Sequence, residues 1–397
     1  MPSSNAYRIT ILIAVHTCIL FLFISELSIN FYEAKTYFNE TSLLHYIINF
    51  STFLFGQNDI ALRIPMILMH FIGAFLYYDI SKDMFKKQSD KLWNLFIYLL
   101  LPGINSVGIM VDGAGLVLFL LLIFLYLYKH QRTFAYILLP LYVFIDASFA
   151  FMYLSFIFFA IDRRKTYLLL ASVLLFGASM YLFGIEIGGY PKNFFISTLG
   201  IYAAIFSPIV FVYLIYSLYR WGVKEERTLL WYLGVTAFLF SMLLSFRQQM
   251  KLEELAPYII ISTPIMVKTF LSSYRIRLRE FRRGYRILLL IGISVLIIST
   301  LSIFMNKFIY LFIKDPTQHF VYKNHVAKEL SKELKKLGIY EVVSTNKNLQ
   351  LQLKFYGITK AYTYNLEDTK PSSESKSVTI RYINVEIAKF YVTKLYK

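Results

Sequence analysis

The sequence predicts an all-α polytopic membrane bundle of about eleven transmembrane helices with a small C-terminal extracytoplasmic α/β domain. Three observations predict it. Of 397 residues, 57% are hydrophobic and only 16% charged, and the mean hydropathy is +0.55; a soluble domain carries about a quarter charged residues. The apolar residues come in runs of roughly 20, the length that crosses a hydrocarbon core. The net charge of +17 is concentrated in the short stretches between those runs, as membrane topology distributes Lys and Arg. A disordered chain is excluded, because so much apolar surface needs burial. With the basic residues spread over loops, nucleic acid is not the expected partner; membrane lipid is. The single cysteine, Cys18, lies in an apolar run, so no disulfide framework and no cysteine zinc site is available.

The first expected span covers residues 9–29. Its apolar run is long and no small-residue cleavage site follows, so it reads as a span and not as a cleaved leader. A polar loop, 30–42, ends it. Spans are then expected near 60–80, 92–108 and 111–128, with Asp112 in the turn between the last two. The pair at 133–147 and 148–161 is short, and Asp146 has to sit in its turn. Further spans fall near 166–184, 200–219, 228–246, 257–273 and 287–305.

Orientation follows from Lys and Arg in the short loops. Ser81–Lys91, Lys129–Arg132, Arg163–Lys165, Arg220–Arg227 and Tyr274–Arg286 hold 18, whereas the alternate loops hold only Lys35, Lys192, Arg247 and Lys251. The first set is therefore expected in the cytoplasm, with a cytoplasmic N-terminus and an external C-terminus. The stretch from Arg275 to Arg283 fits a plain topology anchor or a contact with anionic lipid. Asp79, Asp83 and Asp162 belong with the cytoplasmic ends.

Residues 1–305 thus form the membrane domain and 306–397 a polar, Lys-rich extracytoplasmic domain. Val326–Leu337 has helical periodicity, with Gly338 suited to its C-cap. Ile339–Ser344 reads as a strand, Leu349–Tyr356 as a helix ended by Gly357, and Ala361–Tyr364 and Ser377–Ile383 as strands. Richness in Ile, Lys, Phe, Tyr and Asn points to a low-GC bacterium, hence to a bacterial inner membrane.

Ionisable groups near membrane depth are costly, so each is a candidate for function. The first external loop carries Glu26, Glu33 and Glu40, and Glu33, Ala34 and Tyr37 can share a face of a short helix. A carboxylate there can take a proton from an acceptor hydroxyl, or simply be solvated. Arg63 opens the second span. It can snorkel to the headgroups or grip a phosphate with its fork of donors. His45 reads as an interfacial histidine. Arg247, Lys251 and Tyr258 lie in a late external loop suited to a phosphate headgroup, and Asp112 reads equally as a turn residue or a site-lining carboxylate. Asp146 and Glu186 are expected in packing or turns. No His/Asp/Glu cluster has metal-ligand spacing. No phosphate-binding glycine loop, GxSxG elbow or HExxH helix occurs, so ATP-driven transport is not expected.

The order of these features resembles the GT-C glycosyltransferases, in the branch of protein O-mannosyltransferases and the lipid A aminoarabinose transferase. Tyr32-Glu33-Ala34-Lys35-Thr36-Tyr37 matches in part an Asp-Glu-Ala-x-x-Tyr-like motif. Phe55-Gly56 through Ala61-Leu62-Arg63-Ile64-Pro65 matches closely a motif at the head of the second span. Pro102-Gly103, Asp112, the Arg247–Pro264 stretch and Phe355-Tyr356 fall where the family has counterparts. The family's acid aligns with Tyr32, and its Pro-Pro pair with about Ser42-Leu43.

The resemblance implies an inverting transfer of a sugar from a polyprenyl-phosphate donor to an extracytoplasmic hydroxyl on a lipid, glycan or protein. It implies Glu33 as base or orienter of the acceptor. Arg63, Arg247 and Lys251 would hold the phosphate, and Tyr37, Asp112 and Tyr258 would take part in substrate binding. The chemistry is coherent, since phosphate leaves readily once cations stabilise it. No cofactor is implied with certainty, and use of a divalent metal is left open. Two other readings remain: a transporter of lipid-linked saccharide, which needs ionisable groups at mid-membrane, and a catalytically inactive GT-C-like scaffold, motivated by Tyr32.

Overall fold

The computed structural model of the protein describes residues 4–184, 193–248, 252–313, 315–319, 322–369, 375–382 and 385–395. Helix α1 spans Ser4–Ile24, and α2 spans Phe31–Asn39. Asn30 and Glu33 form a reciprocal capping box that starts α2. Helix α3 (Leu43–Phe55) opens on Ser42, whose hydroxyl accepts from the His45 N–H, and closes at Gly56, where φ of 82° suits a residue without a Cβ. Next come α4 (Asp59–Ser81), α5 (Gln88–Leu100), α6 (Pro102–Ile109) and α7 (Gly113–His130), the last capped by Asp112. They are followed by α8 (Arg132–Tyr142), α9 (Phe149–Asp162), α10 (Thr166–Phe183), α11 (Phe195–Phe206), α12 (Pro208–Lys224) and α13 (Leu229–Ser245). Helices α14 (Leu252–Ile260), α15 (Thr263–Ile276), α16 (Arg282–Phe304) and the short α17 (Asn306–Ile309) lead into the C-terminal domain, which contains α18 (Val326–Lys336) and α19 (Lys347–Phe355).

The chain is mostly helical and carries several helices long and apolar enough to span a membrane. Among the described residues these are Ala6–Ile24, Asp59–Met84, Gly113–His130, Thr166–Phe183, Glu254–Ile276 and Arg282–Phe304. Two bent pairs, α5 with α6 at 60° and α11 with α12 at 102°, raise the six to eight if each is one span. The expected eleven are not reached, and the reason is length. Residues 92–108 are broken at Leu101–Pro102, where proline supplies no N–H to continue the ladder. The expected pair at 133–161 becomes α8 and α9, of 11 and 14 residues. At about 1.5 Å per residue neither covers a core of about 30 Å alone.

Contacts divide the chain into two compact units. One comprises the chain up to Cys18, Met66–Gly108 and Asp112–Thr300; the other comprises Ile19–Pro65, Ile109–Val111 and the chain from Leu301. The first unit is a helical bundle. Here α9 packs on α10 and α13, α14 on α7 and α13, and α12 on α15. Its apolar core runs from Ile9 and Ile13 through Tyr77, Phe124, Phe156 and Tyr202 to Leu296.

The second unit holds α2, α3 and the small α/β domain. Its sheet contains β1 (Val343–Ser344), β2 (Tyr364–Glu367), β3 (Lys376–Tyr382) and β4 (Val385–Lys394), in the order β1-β2-β4-β3. The β1/β2 pair is parallel and the other two are antiparallel, with a bulge between Ile380 and Arg381. Leu330, Leu334, Leu353, Ile380 and Phe390 lie in its core. The sequence reading misses β4, the longest strand; it overextends β1, where Val343 and Ser344 pair in the strand and Glu341 makes an isolated bridge to Thr359, and it places β2 three residues early, at Ala361–Tyr364.

Candidate functional site

In the second unit the first loop and the head of α4 meet at a buried cluster of charges. Glu33 is the third residue of α2, so the capping box that starts the helix also aims its carboxylate back at the preceding chain. Its Oε2 accepts from the Asn30 N–H at 2.9 Å and from Arg63 Nη2 at 2.8 Å. Its Oε1 accepts from the Val111 N–H at 2.9 Å. Neither Glu33 nor Arg63 exposes any surface, both being 0% accessible. Arg63 also donates to the carbonyls of Leu27 at 3.2 Å, Ser28 at 3.1 Å and Asp59 at 3.4 Å. Its Nε is buried without a hydrogen-bond partner.

A second carboxylate completes the cluster. Asp59, one helical turn before Arg63, lies 3.7 Å from Arg63 Nη1. Its Oδ1 accepts from the Tyr356 hydroxyl at 2.6 Å and its Oδ2 pairs with Lys328 Nζ at 2.8 Å. Tyr356 in turn accepts from the Ile29 N–H at 2.8 Å. Burial, and then the adjacent Asp59 carboxylate, push its phenol well above the ordinary value, so it stays a neutral donor. Gln352 Nε2 donates to the Ile29 carbonyl at 2.8 Å, and the Ser28 N–H donates to the Asn324 carbonyl at 2.8 Å. The segment 28–29 is thereby strapped to the C-terminal domain. Two carboxylates face two cations, so the cluster is neutral overall. That balance is what makes burial tolerable, since removing one partner from such a pair strands a charge in low dielectric.

The structure therefore gives two of the candidate residues surroundings unlike those expected. Arg63 does not present its fork at a headgroup: all its donors but Nε are spent on Glu33 and backbone carbonyls. The Glu33 carboxylate has both oxygens engaged and no exposed face from which to reach an acceptor hydroxyl. Tyr32, aligned with the acid of the resembled family, is 70% exposed. Tyr37 lies in the same unit, edge-to-face with Phe355 at 5.3 Å, its hydroxyl accepting from Thr52 at 3.3 Å. His45 donates from Nδ1 to the Thr36 carbonyl at 2.8 Å and braces the end of α2.

The remaining candidates fall in the bundle unit. Asp112 caps α7, accepting from the Ala114 N–H at 3.4 Å. Tyr258 is fully buried and donates to the Ser148 carbonyl at 2.9 Å. Ser148 is itself held by Asp146, which accepts its N–H at 2.9 Å, so Asp146 takes the turn role expected of it. In this structure Tyr258 braces that turn from inside the core. Arg247 is exposed just past the end of α13. Lys251, Glu186 and Lys192 lie outside the described residues.

Sequence reasoning did not single out Asp59, Lys328 or Gln352. The Asn30-x-x-Glu33 spacing was a legible capping-box signal, and Asp59 with Arg63 a legible i, i+4 pair. Lys328 and Gln352 had no local signal at all. A second polar chain was also missed, in the bundle unit. Asn105 Nδ2 donates to the carbonyls of Leu99 at 2.9 Å and Leu101 at 2.8 Å, where α5 breaks from α6. Its oxygen must then accept, from His16 Nε2 at 3.0 Å. That leaves His16 Nδ1 to accept from His70 Nε2 at 3.1 Å. The tautomers follow from the network, and Asn105 ties together carbonyls on the two sides of the helix break.

Among the described residues no three His, Cys, Asp or Glu side chains are grouped to hold a metal ion. In comparisons with known proteins, the chain matches no protein-family model and no curated protein.

Proposed function

We propose that the protein is a membrane glycosyltransferase of GT-C layout, moving a sugar from a polyprenyl-phosphate donor to an extracytoplasmic acceptor hydroxyl. One observation supports the reading most. The two sharpest stretches of the resemblance, Glu33–Tyr37 and Phe55–Pro65, lie 17 residues apart in the chain, yet are joined by the 2.8 Å Glu33–Arg63 pair. Two motifs matched by chance have no reason to form one buried site. On this reading Glu33 acts as base only once α2 moves off Arg63. Arg247 and Lys251 remain the proposed cations for the donor phosphate, and Asp112 a proposed pocket carboxylate.

A second reading is favoured by a specific observation. Glu33 is fully committed and the exposed neighbouring position is Tyr32. An inactive relative, keeping the ion pair for its fold, would look the same. Glu33→Gln alone does not separate the two, because it strands Arg63 and destabilises the chain by about 3–5 kcal/mol. The double variant Glu33→Gln/Arg63→Met removes both charges and restores part of that loss, the Leu27 and Ser28 carbonyls losing their Arg63 donor. The test is transfer of labelled sugar from polyprenyl phosphate by reconstituted protein. A turning-over parent with a folded, inactive double variant supports Glu33 as base. Turnover by both keeps the enzyme and removes Glu33 from its chemistry. No turnover by the parent, with donor still bound, supports the inactive relative.

A further inference from the structure

Between α15 and α16 the chain holds arginines far in excess of acids. Arg275 pairs with Asp90 at 2.5 Å. Arg277, Arg279, Arg282, Arg283 and Arg286 make no ion pair among the described residues, and Glu280 is the one acid among them in sequence. Three of them are nonetheless gathered at two tyrosines. Arg277 lies over the Tyr285 ring at 5.3 Å and donates to its hydroxyl at 3.2 Å. Arg282 lies over the Tyr274 ring at 5.7 Å, and Arg286 Nε donates to the Tyr274 hydroxyl at 3.0 Å. Arg282 also folds back onto the carbonyls of Arg277 at 2.8 Å and Arg275 at 3.1 Å. Like charges held this close repel one another, and among the described residues no carboxylate pairs with Arg277, Arg282 or Arg286.

Position supplies the missing partner. Glu254–Ile276 and Arg282–Phe304 are both long and apolar enough to cross a membrane, which puts residues 277–281 at headgroup level. Ile276, Leu278 and Phe281 are exposed there, apolar side chains suited to dip between acyl chains. The two tyrosines hold Arg277 and Arg286 through one nitrogen each, Nη2 and Nε, and their other N–H groups, which those bonds leave unspent, match the oxygens of a phosphodiester. We propose that Arg277, Arg282 and Arg286, framed by Tyr274 and Tyr285, bind the headgroup phosphate of an anionic phospholipid.

The test is native mass spectrometry of the purified full chain, delipidated in detergent and titrated with phosphatidylglycerol or phosphatidylcholine. The parent is expected to prefer phosphatidylglycerol by at least about tenfold, since the choline cation of phosphatidylcholine is repelled by the clustered guanidiniums. Replacing all three by Lys keeps the charge, and hence the topology signal, but loses the fork and the ring contacts; the affinity for phosphatidylglycerol should fall at least about tenfold. Arg283→Gln, which touches neither tyrosine, should keep it. Equal binding of the two lipids overturns the site. So does a triple-Lys variant that binds like the parent, or an Arg283→Gln variant as impaired as Arg282→Gln. Displacement of the lipid by soluble glycerol phosphate at equal concentration would show a site for free anions and overturn the lipid assignment.

Discussion

At the residue scale the protein spends buried polar groups on holding chain segments together. Tyr356 is one such group. Its hydroxyl gives Asp59 a 2.6 Å bond and takes the Ile29 N–H at 2.8 Å. Tyr356→Phe leaves both without that partner and should cost about 1–3 kcal/mol in stability, read as a shift in the urea midpoint of the detergent-solubilised chain. His325 is another. It is fully buried, bonds the Tyr310 hydroxyl at 3.0 Å, and faces His319, Tyr382, Lys307 and Glu26. Burial, with the neighbouring His319 and Lys307, lowers its pKa from 6.5 to about 4. The sign follows from the depressed value: above the unfolded pKa both states are neutral and stability is full. As pH falls from 6.5 towards 4 the unfolded chain takes a proton that the folded one refuses. About 3 kcal/mol is lost across that window. Hydrogen exchange in β3 and β4 should accelerate over it, and His325→Gln should flatten the dependence.

At the scale of elements, caps and breaks decide where helices stop. Asn30 accepts the Glu33 N–H at 2.8 Å, so Asn30→Ala should loosen α2 by about 1 kcal/mol. Faster amide exchange in Phe31–Asn39 is the readout. In α7, Gly115 lies where a Cβ would collide with the Met66 methyl and come within 2.9 Å of the Val107 side chain. Gly115→Ala should destabilise the bundle by about 1–3 kcal/mol through overpacking, towards the low end because Met66 can swing aside. A lowered unfolding temperature without a change in expression topology is the expected result. The break at Leu101–Pro102 is of the same kind. Asn105 binds the Leu99 and Leu101 carbonyls on the two sides of that break, which turns it into a fixed feature.

On the scale of the whole molecule, composition and charge fix the solvent. Eighteen Lys and Arg in one set of loops against four in the other predict which loops face the cytoplasm. Single cysteines placed at Lys86 and Gly284, in a chain with Cys18 replaced by Ser, should be shielded from a membrane-impermeant thiol reagent in intact cells. One at Lys347 should be labelled. The opposite pattern would reverse the assignment, and with it any extracytoplasmic role for Glu33.

The class of molecule and its local punctuation are legible in the chain alone. The apolar helices, α18, α19 and the Gly338 cap were read from apolar runs and short-range spacing; the caps at Asn30, Ser42 and Asp112 rest on the same kind of signal, acting within one or two helical turns, and were not read. The lengths of the spans were less legible: Asp146 marked the turn at 143–148, but hydropathy averages over a window and does not feel a proline at 102. Strand β4 was missed although Val385, Ile387, Phe390, Tyr391, Val392 and Thr393 favour a strand; its ends and register are set by pairing with β2 and β3. Only the tertiary structure decided that Glu33 and Arg63 are partners with no surface left to offer. Their pairing depends on Asp59, Val111, Lys328 and Tyr356, brought together from positions up to 323 residues apart. Burial and partner choice are set by the sum of those distant contacts, and nothing in the spacing of neighbouring residues encodes them.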